Sequence, residues 1–251
     1  MASLSDKSNK EQKVSKSKDR ESGEVQTDNK ILRAQQFIYN NSKAISYGLI
    51  GLIVVVTLIF ILKNTFQKSA EEDKENAMVA LTRILPYYEA PDYRKALYGD
   101  SSVTVRGEKI IGLLEIVEKY ESTEQGKLAA LYVGSSYLAL NKAKEAIEFF
   151  EIATDSPSKA VLTGAFAGLG ASYELLKDNE AATEYYLKAS ESAISEATKE
   201  RYNYYAARIY ENIGNKEAAS KIYKEIISKD KFSEFSNYSK AGLVRLGMKI
   251  D

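Results

Sequence analysis

Few residues in this chain have types and spacings that suit covalent chemistry. Glu115, Glu118 and Glu121 recur every three residues and would supply paired carboxylates for acid–base work. The same interval, however, sets exposed glutamates along one side of a helix. GAFAGLGAS (164–172) is glycine-rich like a phosphate loop, but it has no loop lysine and no strand before it, and close helix packing accounts for it. The 251 residues contain no histidine and no cysteine. That removes the commonest general base and transition-metal ligand, together with disulfides, thiolate metal sites and a cysteine nucleophile. The sequence reads as that of a non-enzyme with no metal site and no cofactor. Lys plus Arg number 35, as do Asp plus Glu, so no overall cationic field invites nucleic acid, and no nucleic-acid partner is expected.

The segment that most needs explaining is AISYGLIGLIVVVTLIFIL (44–62), bounded by Lys43 and Lys63 and free of charge. A cleaved signal, a buried core helix and a membrane anchor are the three readings. At 1.5 Å per residue it is roughly 28 Å long, close to the ~30 Å hydrocarbon core of a bilayer. Leu, Ile, Val and Phe occupy about 13 of its positions, which favours insertion by roughly 4–8 kcal/mol. A core helix keeps a polar stripe that this segment lacks, and a long polar stretch precedes it, unlike a secretory signal. We read 44–62 as a transmembrane helix that anchors the chain in the lipid bilayer.

Residues 1–29 hold almost no branched apolar or aromatic side chains and are expected to form a disordered tail. Within it, KSNKEQKVSKSKDR (7–20) carries a net charge of about +4, fit for anionic lipid or simply solvated. Apolar residues return at helical spacing in ILRAQQFIY, which places a juxtamembrane helix over 30–43. Positive charge does not differ across the span, with Lys30, Arg33 and Lys43 before it and Lys63, Lys68 and Lys74 after. Orientation therefore rests on the lack of a translocation signal ahead of the tail. The expectation is a single-pass protein of the cytoplasmic membrane, with its N-terminus inside and its C-terminal part periplasmic. Residues 63–108 read as a linker, an amphipathic helix (70–85) that stops at Pro86, and a loop rich in Tyr and Pro. There Tyr87, Tyr88 and Tyr93 either form an exposed aromatic patch or fold back over the first downstream repeat.

From Lys109 the chain begins to resemble itself. Gly134-x2-Tyr137, Ala146-x3-Phe150 and Ala153 recur as Gly170-x2-Tyr173, Ala182-x3-Tyr186 and Ala189, then as Ala207-x2-Tyr210, Ala219-x3-Tyr223 and Ile226. The copies stand about 36 and 37 residues apart, near the 34 of a tetratricopeptide repeat. Small residues let two helices approach, and the ring fills the space beside them. Turns are expected at Asn141, Lys177 and Gly214. Asn and Gly suit a left-handed backbone there, whereas Lys does not.

Residues 109–230 thus resemble the tetratricopeptide repeat family, although its tryptophan is replaced by Ala130, Phe166 and Asn203 and the third copy lacks the glycine. The resemblance implies an all-α chain: one N-terminal transmembrane helix, then a helical-hairpin solenoid over 109–251 whose last segment (233–247) caps the stack. Tail, span and repeats together resemble bacterial membrane-anchored tetratricopeptide proteins related to the ancillary subunit of the SecYEG translocon. That likeness implies a periplasmic solenoid whose partners are translocon subunits, chaperones or exported chains.

In such stacks the first helix of each pair lines the binding groove. The candidate groove residues are Tyr132, Ser135, Leu138, Arg201, Tyr204, Tyr205 and Arg208; the competing reading puts the tyrosines in the core and the arginines on a solvated face. Some family members grip terminal carboxylates with a Lys, Asn and Arg cluster, but here those places hold Leu131, Ser135 and Gly168, so no such clamp is expected. The functional expectation is a membrane-anchored protein-interaction scaffold serving protein export or envelope assembly. The alternative is a structural envelope protein that homo-oligomerises by filling its groove with its neighbour.

Overall fold

The computed structural model describes residues 32–33 and 35–249, so the expected tail (1–29) and part of the expected juxtamembrane helix lie outside the described residues. The chain divides into two units, Met1–Gln67 and Lys68–Asp251. In the first, residues 35–40 are helical, and the Asn41 side-chain amide donates to the Phe37 carbonyl at 2.9 Å. Helix α1 (Ser42–Glu89) comes next. Every side chain from 51 to 63 is exposed. The Thr57 hydroxyl donates to the Ile53 carbonyl at 2.7 Å, which satisfies the one hydroxyl of this stretch within the helix. Among the described residues, α1 is the one helix long and apolar enough to cross a membrane by length and composition.

The expected linker and separate amphipathic helix are replaced by continuous helix. KNTFQKS (63–69) contains neither Pro nor Gly, so nothing in it breaks the ladder. Nor does Pro86 end the helix: α1 runs one turn further, and Ala90 N–H closes that turn on the Pro86 carbonyl at 3.0 Å.

The second unit contains the last part of α1, then α2 (Tyr93–Tyr98), an antiparallel hairpin of β1 (Gly99–Val105) and β2 (Glu108–Ile111), and α3 (Leu113–Tyr120). The hairpin corrects the all-α expectation. Val105 pairs with Glu108, and the two residues between them, Arg106 and Gly107, have φ of 55° and 85°. Positive φ at both positions is what a two-residue type I′ turn demands, and that turn matches strand twist. Asp100 anchors the base of the hairpin. Its carboxylate accepts from Tyr87 OH (3.0 Å), Lys95 Nζ (2.9 Å), and Ser102 N and Oγ (3.0 and 2.5 Å). These donors, the Ser102 hydroxyl foremost, hold its carboxyl well below the usual range, and they tie α1, α2 and β1 together.

Three helical hairpins make up the repeats: α4 (Glu124–Ala139) with α5 (Ala143–Thr154), α6 (Lys159–Leu175) with α7 (Asn179–Ser192), and α8 (Glu196–Asn212) with α9 (Lys216–Lys229). A single helix, α10 (Glu234–Arg245), closes the stack. Side-chain oxygens of Thr123, Asp178, Ser195, Asn215 and Ser233 cap the N-termini of α4, α7, α8, α9 and α10, each satisfying an otherwise orphaned N–H. Inside every pair the chain reverses by one device. Lys142, Asp178 and Asn215 N–H bond the carbonyls of Tyr137, Tyr173 and Tyr210 five residues back, at 2.8–2.9 Å. The preceding residue, Asn141, Lys177 or Gly214, is left-handed (φ 58°, 63° and 80°). This is the Schellman motif. Lys177 adopts the left-handed conformation despite its Cβ, because the motif at that position admits no other backbone. The turn after α10 is the same, with Gly247 at φ 79° and Met248 N–H on the Leu243 carbonyl at 2.9 Å. Helix α10 thus ends as the first helices of the three pairs do.

Lys177 is exposed and strained by its φ alone. Lys177→Gly is expected to stabilise the fold by about 0.5–1 kcal/mol, the left-handed penalty less the extra chain entropy of glycine. Thermal unfolding should show this as a rise of roughly 1–4 °C.

Candidate binding groove

One contact recurs along the stack. The ring of each second helix (Phe150, Tyr186, Tyr223) lies against the small residue of its own first helix. A Cβ added at Gly134 would stand 2.7 Å from the Phe150 ring, and one at Gly170 would stand 2.8 Å from Tyr186. In the third pair Ala207, fully buried, holds this place. The same rings also meet the next first helix: a Cβ at Gly168 would collide with Phe150, and one at Gly242 would stand 2.5 Å from Tyr223. Where the ring is a tyrosine, a glutamate of the first helix receives its hydroxyl. Tyr186 OH donates to Glu174 (2.8 Å) and Tyr223 OH to Glu211 (2.6 Å); opposite Phe150 the equivalent residue is Leu138. Glu211 also takes two hydrogen bonds from Arg245, at 2.6 and 2.9 Å, which lower its pKa.

The seven groove residues expected from sequence fall into two sets that the structure does not bring together. Tyr132, Ser135 and Leu138 lie on α4, next to the core that runs from α1 to α6. Tyr88, from the last turns of α1, sits edge-on to Tyr132 with ring centroids 4.7 Å apart. Burial pushes the Tyr88 phenol up, and the Ser135 hydroxyl beside it pulls the other way. Of the two readings left open for the Tyr/Pro segment, folding back over the first pair is the one adopted, and it covers this end of the groove. Ser135 Oγ donates to the Leu131 carbonyl of its own helix at 2.8 Å, and Leu138 packs on the core.

Arg201, Tyr204, Tyr205 and Arg208 lie on α8. Tyr204 is core: it is 8% exposed, with Tyr223, Phe235 and Tyr238 ring centroids 5.7–5.9 Å away. Degenerate repeats blur the helical phase by one residue, which is why the sequence places neighbouring Tyr204 and Tyr205 both outside. Tyr205 is 37% exposed, bordered by Tyr186 at 5.4 Å and Tyr202 at 6.0 Å. Arg201 is exposed and stands 5.7 Å over the Phe235 ring. Arg208 is exposed beside the Tyr204 hydroxyl, which raises its pKa. Sequence reasoning named Tyr88 without its partner and missed Tyr238; the two complete the sets through long-range packing.

Stacked pairs with one face of their first helices available define a helical-hairpin repeat protein. A family model described as Tetratricopeptide repeat matches residues 164–193 and 200–230, the α6–α7 and α8–α9 pairs. The α4–α5 pair lies outside the match but keeps the ring contact and the turn. No curated protein matches the chain. Tetratricopeptide repeats bind other proteins, and a protein-interaction scaffold is the class of function that the match supports.

Burial raises the phenols of Tyr137, Tyr186 and Tyr223 above their ordinary value near 10. Tyr137 is pushed up to about 12, while Glu174 and Glu211 add to burial for the other two. The unfolded chain therefore loses these protons first, so their stabilisation is complete below pH 10 and declines as pH rises above it. Thermal midpoints should be level from about pH 7 to 9 and fall from about pH 10 to 12. Replacing both Tyr186 and Tyr223 by Phe should flatten that fall.

Proposed function

We propose that this chain is a membrane-anchored protein-interaction scaffold serving protein export or envelope assembly, single-pass in the cytoplasmic membrane with its N-terminus inside and its repeats in the periplasm. The observation that carries the reading is the exposed stripe of Arg201, Tyr205 and Arg208 on α8, inside a matched repeat. Aromatic and arginine side chains are the ones that dominate protein-binding hot spots. The exposed apolar side chains of 51–62 support the anchor. An anchor confines a weak binding face to the membrane, where effective concentration substitutes for affinity. Translocon subunits, chaperones and exported chains are the partners implied by the resemblance to the ancillary translocon subunit.

A photoreactive residue at Tyr205 in intact membranes is expected to yield adducts with export or envelope-assembly components, identified by mass spectrometry. Adducts with itself alone would make the protein a structural oligomer. In the same cells, a cysteine at Ser101, exposed on β1, should react with an impermeant thiol reagent, and one at Ser8 only after permeabilisation. Reversed labelling would put the repeats in the cytoplasm.

A further inference from the structure

Aligned through their contacts, Gly168, Tyr205 and Gly242 occupy one position, 37 residues apart each time, where a first helix meets the ring of the preceding pair. Glycine lets Phe150 and Tyr223 seat flush against α6 and α10. On α8 the glycine is replaced by the bulkiest departure in the stack. The Tyr205 ring stands at 64° to Tyr186 and stays 37% exposed. The hydrophobic core divides at this place: Tyr186 belongs to one small cluster, with Ala182, Ala206 and Ile209, and Tyr204 and Tyr223 to another. A sequence that breaks its own packing rule at one position, and leaves a ring in solvent by doing so, marks a place kept for something other than stability.

The neighbours of that ring say what it is for. Arg201 and Arg208 lie four residues before and three after Tyr205, so all three share one helix face. Among the described residues no carboxylate lies within ion-pair distance of either arginine, although Arg245, on the next first helix, is paired with Glu211. The nearby carboxylates of Glu174, Glu211 and Glu234 already accept tyrosine hydroxyls. At the other end of the groove Tyr88 covers Tyr132, whereas Tyr205 on α8 stays 37% exposed.

We propose that Arg201, Tyr205 and Arg208 form a docking site for an extended acidic peptide segment of a partner protein. Its two carboxylates are set four residues apart, with an aromatic or aliphatic side chain midway between them on the same face. Seven helical residues separate the arginine Cα atoms by about 10 Å; four residues of extended chain span about 13 Å and turn the first, third and fifth side chains to one face, a distance that two long guanidinium side chains reach. Each guanidinium takes one carboxylate, and the side chain between them packs on the Tyr205 ring. The proposal rests on the scaffold reading and supplies the chemistry of the partner.

The test is fluorescence anisotropy with the full chain in detergent micelles. The probe is a labelled eight-residue peptide carrying two glutamates four residues apart with a phenylalanine midway between them. Saturable binding that weakens at least tenfold with Arg201→Gln, Arg208→Gln or Tyr205→Ala, and that disappears when glutamine replaces glutamate in the peptide, is the expected result. Tyr205→Ala relieves a crowded position, and unchanged circular-dichroism melting of each variant shows that the loss belongs to the site. Three results would overturn the proposal: equal binding of the glutamine peptide, unchanged affinity in Arg208→Gln, or tighter binding of a labelled single-stranded DNA. Competition by unlabelled chain at equal strength would make the occupant a second copy instead. If Tyr205 crosslinks to partners while the acidic probe fails, the scaffold reading stands and this chemistry falls.

Discussion

The repeat domain depends on a single packing constraint: an aromatic ring from each second helix must lie between two first helices at once. Phe150 lies between Gly134 and Gly168. Tyr223 lies between fully buried Ala207 and Gly242. A ring in that place crowds the helices beside it, so glycine or alanine faces it on its own first helix and glycine faces it on α6 and α10. Because interiors are close-packed, a methyl group at such a contact forces a shift of the whole helix. The hydroxyls obey the same logic. A tyrosine that carries its OH to the edge of the packed layer needs an acceptor, and Glu174 and Glu211 stand twelve residues before their tyrosines to provide it.

A second layer of contacts extends this arrangement without being forced by it. Tyr137 lies 5.7 Å from Phe149, and Tyr173 stacks on Tyr185 at 5.4 Å. The third pair puts Tyr210 and Ile222 in the same places, both packed on its core. Ahead of the repeats, Ile84, Leu97, Leu113 and Ile116 join the first pair's core, so the end of α1, the hairpin and α3 serve as the N-terminal cover of the stack. The Asp100 carboxylate ties the end of α1 and α2 to the hairpin there.

Much of this was legible in the sequence, since the small and aromatic positions and the turns are fixed by local spacing. Gly134, Gly170 and Ala207 stand where the offsets of about 36 and 37 put them, and Asn141 and Gly214 have the backbone their types suggest. What stayed hidden was set at long range. The hairpin has its signal in Arg106-Gly107 between short apolar runs, which reads as an ordinary loop without its partner strand. Tyr88 over Tyr132 joins residues 44 apart in sequence, and no local pattern announces it. Tyr204 and Tyr205 are adjacent, and only the direction of α9 and α10 decides which one is core. The position shared by Gly168, Tyr205 and Gly242 was available from the offset of 37, but its meaning required the ring that each residue meets.

Helix α10 keeps the first-helix pattern at one position and departs from it at the next. Two residues beyond the position that meets the preceding ring, α6 has Gly170 and α8 has Ala207, small enough to receive a ring from their own second helix. On α10 that place is Val244, 60% exposed, with half-buried Lys240 one turn before it. A β-branched side chain and an ammonium group there leave no seat for an incoming ring. Val244 thus turns a β-branched side chain outward where Gly170 and Ala207 accept rings, so a helix packed on this side of α10 would need a different contact from the one that joins the three pairs.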